Sequence, residues 1–303
     1  MSIDADIQLD RRRLKRRLHL WRALAIVALV AAAVLLLGRE GLLPRGDHIA
    51  RLTVSGLILD DRDRSELLAE TASDPNVQAL IVHVNSPGGT VVGGETLYHD
   101  LRRVAENKPV VAVMREVAAS AGYMIALGTD RIFAQKGSIT GSIGVLLQAT
   151  DLTGMLEKLG ITTEAVKSGP LKAVPSPLEP LTAEGREAAM VVVQDMFDMF
   201  VGLVIERRHM TREQALRLSD GRVYTGRQAA SNGLIDEIGG EGEALAWLAA
   251  VHEIDETLPV YEIEVEREEL IWDRILSAVA GKTPFSERVT LDGLISLWHP
   301  DFR

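Results

Sequence analysis

The chain has 303 residues, a formal net charge of −10 and no cysteine. With 25% charged and 47% apolar residues it can bury a substantial core and is not composed like a disordered protein. The acidic balance argues against a nucleic-acid partner, since phosphate binding needs a basic face, and the missing cysteines exclude disulfides, thiolate metal sites and a cysteine nucleophile.

Charge is unevenly placed. Residues 1–47 hold nine Arg/Lys against five Asp/Glu, so the rest of the chain is more acidic than the total suggests. A basic segment, residues 1–17, contains "RRRLKRR" (Arg11–Arg17), and Ala23–Leu37 is an unbroken run of fifteen apolar residues. Taken from Leu18 to Gly38 the stretch has 21 residues, about 31 Å as a helix, enough to span a bilayer core. A cleavable signal peptide is the competing reading, but no small-x-small site follows Leu37. The expectation is a transmembrane signal anchor over residues 18–38, with the basic end in the cytoplasm and the chain from about residue 40 across the membrane.

After a polar linker, residues 39–47, strand-like and helix-like segments alternate. His48–Ile58 is β-rich, and Asp61–Ser73 reads as a short helix closed by the turn signal Asp74-Pro75-Asn76. Val77–Val84 is apolar throughout, as a strand covered on both faces should be. A helix over Val92–Glu106 and a strand over Pro109–Met114 follow, then a helix from the segment around Ser120 and a strand over Arg131–Ala134. Ser142–Gln148 is predicted as a strand, Asp151–Leu159 as a helix and Thr162–Val166 as a strand. This alternation predicts an α/β fold, a parallel sheet wrapped by helices. A long helix begins after Thr182 and runs to about His209, its Met and Phe serving packing; Thr211 and Gln214 then form a capping box. Leu258–Val265 is a strand, and amphipathic helices close the chain.

Two glycine-bearing turns follow buried strands. "VNSPGGTVVGG" (Val84–Gly94) leaves a strand, turns tightly at Pro87-Gly88-Gly89 and enters a helix. Backbone N–H groups there can face a phosphate or an oxyanion, or the glycines can be steric necessities of the turn. Neither G-x-G-x-x-G nor a P-loop is present, since position 276 is Leu. The second turn, Ala118-Ala119-Ser120-Ala121-Gly122, has the strand–turn–helix pattern of a nucleophile elbow, with Ala in the first Gly position. A capping serine fits the same residues, so Ser120 has two readings here.

A nucleophilic serine needs a base. None of the seven His has a telling context: His19 is in the apolar stretch, His83 lies inside a buried strand, His99 and His209 lie on helices, and His48, His252 and His299 lie near segment ends. A lysine in a shielded apolar site can lose its proton and serve instead. Lys167 and Lys172 share "VKSGPLKAVPSPLEP", an irregular segment inside an α/β pattern, and such segments are often functional. Spacing does not separate the two.

"VNSPGG", "ASAGYM", "TGSIGV", "KSGPLK", "LTAEGRE" and "DGRVYTGRQAASNGLIDEIGG" occur in that order. Together they resemble the signal peptide peptidase A family of membrane-anchored serine proteases, in its short, half-size form. The resemblance spans roughly residues 50–245. It implies a ClpP/crotonase-like spiral of ββα units over residues 48–245, after one N-terminal transmembrane helix. Residues 246–303, beyond the resemblance, read as a C-terminal α/β extension for which packing between subunits is one available role. It implies Ser120 as nucleophile, Lys172 as general base and Ser142 as a hydroxyl orienting the lysine. The N–H groups of Gly88 and Ala121 would form the oxyanion hole, with Gly89 as the fallback. It further implies peptide substrates, namely signal peptides left in the membrane, and a homo-oligomer whose dyad is shared between subunits. The catalytic domain would lie on the exported side of a bacterial inner membrane. Neither cofactor nor metal is expected. A related protease acting on regulatory membrane proteins is the nearest alternative. A crotonase-type acyl-CoA enzyme would share the glycine turn but would need acidic catalytic residues, and a catalytically silent scaffold would not need Ser120, Lys172 and Ser142 together.

Overall fold

The computed structural model describes residues 17–29, 46–265 and 295–297. The chain divides into two units, Met1–Gly46 and Asp47–Arg303. In the first, residues 17–29 form an exposed helix, α1. The remainder of the expected anchor, residues 30–38, lies outside the described residues, as do most of the 39–47 linker and the helices expected at the C-terminal end.

In the second unit the sheet is founded on β1 (His48–Ile58) and β2 (Val77–Thr90), which run parallel from Ile49 opposite Ala79 to Ser55 opposite Asn85. β3 (Val110–Ala119) joins the other side of β2, parallel, with Leu80 opposite Val110. Between β1 and β2 lies α2 (Arg62–Ser73), capped by the Asp61 side chain accepting from the Arg64 N–H. Between β2 and β3 lies α3 (Val91–Ala105), capped by Thr90. β3 then forks. Its first half pairs with β4 (Arg131–Ala134), and its end pairs with β5 (Ile139–Gly141).

The parallel sheet predicted from the alternation is present, and the strand expected over Leu258–Val265 forms as β8 (Val260–Ile263), parallel beside β1. Two additions were announced by no local pattern: β6 (Val223–Thr225) runs antiparallel to β5, and β7 (Glu237–Ile238) extends β4. A short strand, β9 (Ile295–Leu297), pairs antiparallel with Gly88–Thr90 of β2.

Alternation along the strands sorts the core into two layers. Leu80, Val82 and Val84 face one side, against α3, α4 (Ala121–Leu127) and the C-terminal half of α6 (Ala183–Arg208). Ile49, Ala79, Ile81, Val111 and Val113 face the other, under Ala244 and Leu248 of α9 (Glu241–His252). The helix expected after Thr182 is α6, and Thr182 caps it through the Gly185 N–H. The capping box of Thr211 and Gln214 opens α7 (Arg212–Leu218), and Thr225 with Gln228 opens α8 (Gly226–Asn232) in the same way.

Two expected strands are not formed. Ser142–Gln148 carries only an isolated bridge at Leu146, because the strand ends at Gly141 and Ser142 turns the chain at φ 50°. Thr162–Val166 is irregular and exposed, with Val166 99% exposed; without a neighbouring ladder an apolar run gains nothing by being a strand. Residues 144–182 form an arm around the short α5 (Thr153–Lys158), none of whose residues is buried. Among the described residues one helix, α6, is long and apolar enough to cross a membrane. Its Phe200, Val201 and Val204 are buried in the body's own core.

Candidate active site

Ser120 sits where β3 ends and α4 begins, at φ 56°, ψ −120°. A non-glycine residue in that region is strained and persists only where its surroundings hold it. The Ser120 N–H donates to the Gly141 carbonyl at 2.8 Å, and its own carbonyl accepts from the N–H groups of Tyr123 and Met124, both at 2.9 Å. The residue before Gly141, the fully buried Thr140, donates its Oγ1 hydrogen to the Ala118 carbonyl at 2.7 Å, tying β5 to β3 two residues before Ser120. The Ser120 side chain makes no cap hydrogen bond, so a plain capping role does not describe it. Ala121, first residue of α4, presents an N–H with no intrahelical acceptor at the positive end of the helix.

The glycine segment is not the tight turn expected from sequence. β2 continues through it to Thr90, with a register slip after Val84 and Gly88 at φ 131°. A side chain at Gly89 would place its Cβ 1.9 Å from the Ile58 carbonyl oxygen of β1, so glycine is required there by close backbone approach. The Gly88 N–H donates to Ser86 Oγ at 3.1 Å. Ser86 pairs in register with Ala118. Beyond that pair β3 ends at Ala119, and the Gly88–Thr90 edge of β2 pairs antiparallel with β9 instead, so this edge holds an extended segment.

Ser142, also at positive φ and 8% exposed, follows the Gly141 that holds Ser120. Its N–H donates to the Arg222 carbonyl at 2.8 Å. Ser120, Ala121, Ser142 and the Gly88-Gly89 segment thus converge on one end of the sheet. Lys172 lies exposed on the arm, and within the single chain no hydrogen bond joins its side chain to Ser120. Lys167, its neighbour in sequence, is committed to Glu179 at 2.5 Å, with 16% of its side chain exposed. The geometry thus separates two lysines that spacing could not.

No histidine hydrogen-bonds Ser120 among the described residues. His83 points to the α9 face, opposite α4, with Nε2 2.7 Å from Glu241 Oε2 but without hydrogen-bond alignment. Burial pushes its imidazole pKa below the ordinary value, against the pull of Glu241. Three or more metal-binding side chains do not cluster among the described residues. Ser86 and Thr140 are the buried hydroxyls that sequence reasoning passed over; both stand inside the quoted motifs, where an interior polar residue is the available signal.

The model of peptidase family S49 matches residues 102–255. The chain belongs to this family, the signal peptide peptidase A family. A relative from Synechocystis is 37% identical to this S49 peptidase over 208 residues, 68% of this chain and 75% of its own. Protease 4 of Salmonella typhi is 29% identical over 79% of this chain and 40% of its own, and the chloroplastic serine protease SPPA of Arabidopsis thaliana is 32% identical over 76% and 34%. The chain therefore spans well under half of those two longer relatives. Among solved structures, a ClpP1 mutant from Listeria monocytogenes aligns with a TM-score of 0.42 and 18% identity, over 63% of this chain and 91% of that one. The S49 peptidase is a serine protease, with an α/β sheet fold and peptides as substrates.

Proposed function

We propose that Ser120 is the nucleophile of this protease, that Lys172 of a neighbouring copy is its general base, and that its substrates are signal peptides left in the membrane after preprotein processing. The strained backbone of Ser120 is the observation that carries the reading: it leaves a hydroxyl free of capping duty at the start of α4, one residue before Ala121.

The acylation step needs a base at hydrogen-bond range. Lys172 sits on an arm with no core of its own, which also exposes Leu146, Met155, Leu159, Ile161, Leu171 and Leu178. In an oligomer this apolar surface is covered by a second copy, which shields Lys172 and favours its neutral amine. Neutral Lys172 takes the Ser120 proton, Ser120 Oγ attacks the peptide carbonyl, and the N–H groups of Ala121 and Gly88 stabilise the oxyanion. Ser142 orients the lysine. The protonated lysine gives its proton to the leaving amine, and the neutral amine then activates the water that hydrolyses the acyl-enzyme. Family membership supports a ClpP/crotonase-like arrangement of residues 48–245, an N-terminal anchor over 18–38 and a catalytic domain on the exported side of a bacterial inner membrane. The edge of β2 beside Ser120 suits an extended apolar peptide, which would dock by strand addition.

Labelling by a fluorophosphonate tests the nucleophile. The wild-type chain is expected to be labelled at Ser120 and the Ser120→Ala chain not at all; equal labelling of both refutes the assignment. Signal-peptide fragments should accumulate in membranes carrying Ser120→Ala.

A further inference from the structure

We propose that Ser86 is a positioning residue for acylation, its hydroxyl fixing Gly88 and holding the Gly88 N–H until the substrate oxyanion replaces it. The proposal rests on the reading above, in which Gly88 serves Ser120 as an oxyanion donor.

Ser86 is fully buried. A buried hydroxyl must find a partner, and one bond to any nearby carbonyl would suffice. Here both of its bonds go to a single residue. Ser86 Oγ accepts from the Gly88 N–H at 3.1 Å and donates to the Gly88 carbonyl at 3.1 Å. Gly88, at φ 131°, has no side chain with which to hold that conformation, so the serine hydroxyl supplies the restraint. Ser86 is also joined to the nucleophile. It pairs with Ala118, two residues before Ser120, and a Cβ added at Gly122 of α4 would lie 2.8 Å from the Ser86 carbonyl oxygen. The same residue thus meets the glycine donor through its side chain and the elbow through its backbone.

Before substrate binds, the Gly88 N–H is satisfied by the Ser86 hydroxyl rather than left without an acceptor. As negative charge grows on the substrate carbonyl oxygen, the N–H turns to that stronger acceptor. The Ser86 hydroxyl keeps its donation to the Gly88 carbonyl, so the Gly88–Gly89 peptide stays fixed while the preceding Pro87–Gly88 peptide presents its N–H. The hydroxyl therefore acts on the transition state, through the geometry of a donor, and not on ground-state binding.

The test compares wild-type full-length chain with Ser86→Ala and Ser86→Cys, the latter filling the same space with a much weaker hydrogen-bonding group. Turnover of a fluorogenic peptide is measured, together with affinity for a peptide aldehyde, whose adduct with Ser120 places an oxygen in the oxyanion site. In both variants kcat should fall, on the order of 10- to 100-fold in Ser86→Ala, from a misplaced donor. KM should stay within about twofold, and aldehyde affinity should fall in proportion to kcat/KM. The pH profile should not move, because the base is untouched. Should Ser86→Ala fail to fold, Ser86→Cys carries the same expectation. Unchanged kcat and aldehyde affinity in Ser86→Cys, or a rise in KM alone, would overturn the role of Ser86. Wild-type turnover by Ser120→Ala would instead remove the reading beneath it, whereas an inactive Ser120→Ala beside a fully active Ser86→Cys would remove only this inference.

Discussion

Ser120 combines a cost with a use. Its φ of 56° and ψ of −120° carry strain of about 1–3 kcal/mol for a residue with a Cβ. The surrounding bonds to Gly141, Tyr123 and Met124 hold it there. Replacing Ser120 by Gly should therefore abolish hydrolysis while raising stability by about 1 kcal/mol over Ser120→Ala, read as a higher melting temperature. A Ser120→Gly protein that melts below Ser120→Ala would show that the backbone is not strained. The sequence made Ser120 visible as a motif member but left elbow and cap unresolved. Backbone conformation and the missing side-chain cap bond favour the elbow, and that conformation is held by the bond from β5, some twenty residues downstream. Lys167 and Lys172 were likewise inseparable by spacing, because the difference is a partner, Glu179, twelve residues further along the arm.

At the scale of elements, backbone contact sets the constraints around the site. Gly89 lies against the Ile58 carbonyl so closely that Gly89→Ala should force β1 from β2 and cost more than about 2 kcal/mol, measured by denaturant unfolding. A loss below about 0.5 kcal/mol would mean the strands part freely there. On the opposite face, β2 meets α9 through His83 and Glu241. Arg51 also reaches Glu241, at 3.2 Å, and Glu262 at 2.6 Å, while Arg115 adds a positive field. The folded state holds His83 below its ordinary pKa of about 6.5, so the unfolded chain takes up the proton more readily. Its contribution to stability is complete above about pH 6.5 and is lost as pH falls below it. Melting temperature should drop between about pH 7.5 and about pH 5.5, and His83→Gln should flatten that dependence; an unaltered slope in the variant would contradict it. Long, regular elements such as β2, α3 and α6 were legible from periodicity and caps. The missed strands β6 and β7 are two or three residues long and exist through pairing alone, while Ser142–Gln148 has strand composition but no ladder to join.

For the molecule as a whole, the proposed catalytic groups divide between two regions. Ser120, Ala121, Ser142 and the Gly88-Gly89 segment lie where β2, β3 and β5 end on one side of the sheet, whereas Lys172 stands on an exposed arm. The arm continues into α6, whose Met190, Val191 and Val192 are exposed. A surface so apolar is costly in water unless a neighbour covers it. The irregular Lys-bearing segment was legible in the sequence as an anomaly within the α/β pattern. Its exposure was not, because pattern reports neighbours along the chain and not contacts across space. The central claim is that nucleophile and base come from different copies. It is tested by co-assembling two inactive chains, Ser120→Ala and Lys172→Met, and measuring peptide hydrolysis. Each alone should be inactive, and an equal mixture should regain about a quarter of wild-type activity, since random assembly pairs an intact Ser120 with an intact Lys172 at that fraction of sites. A mixture as inactive as its components would contradict the account.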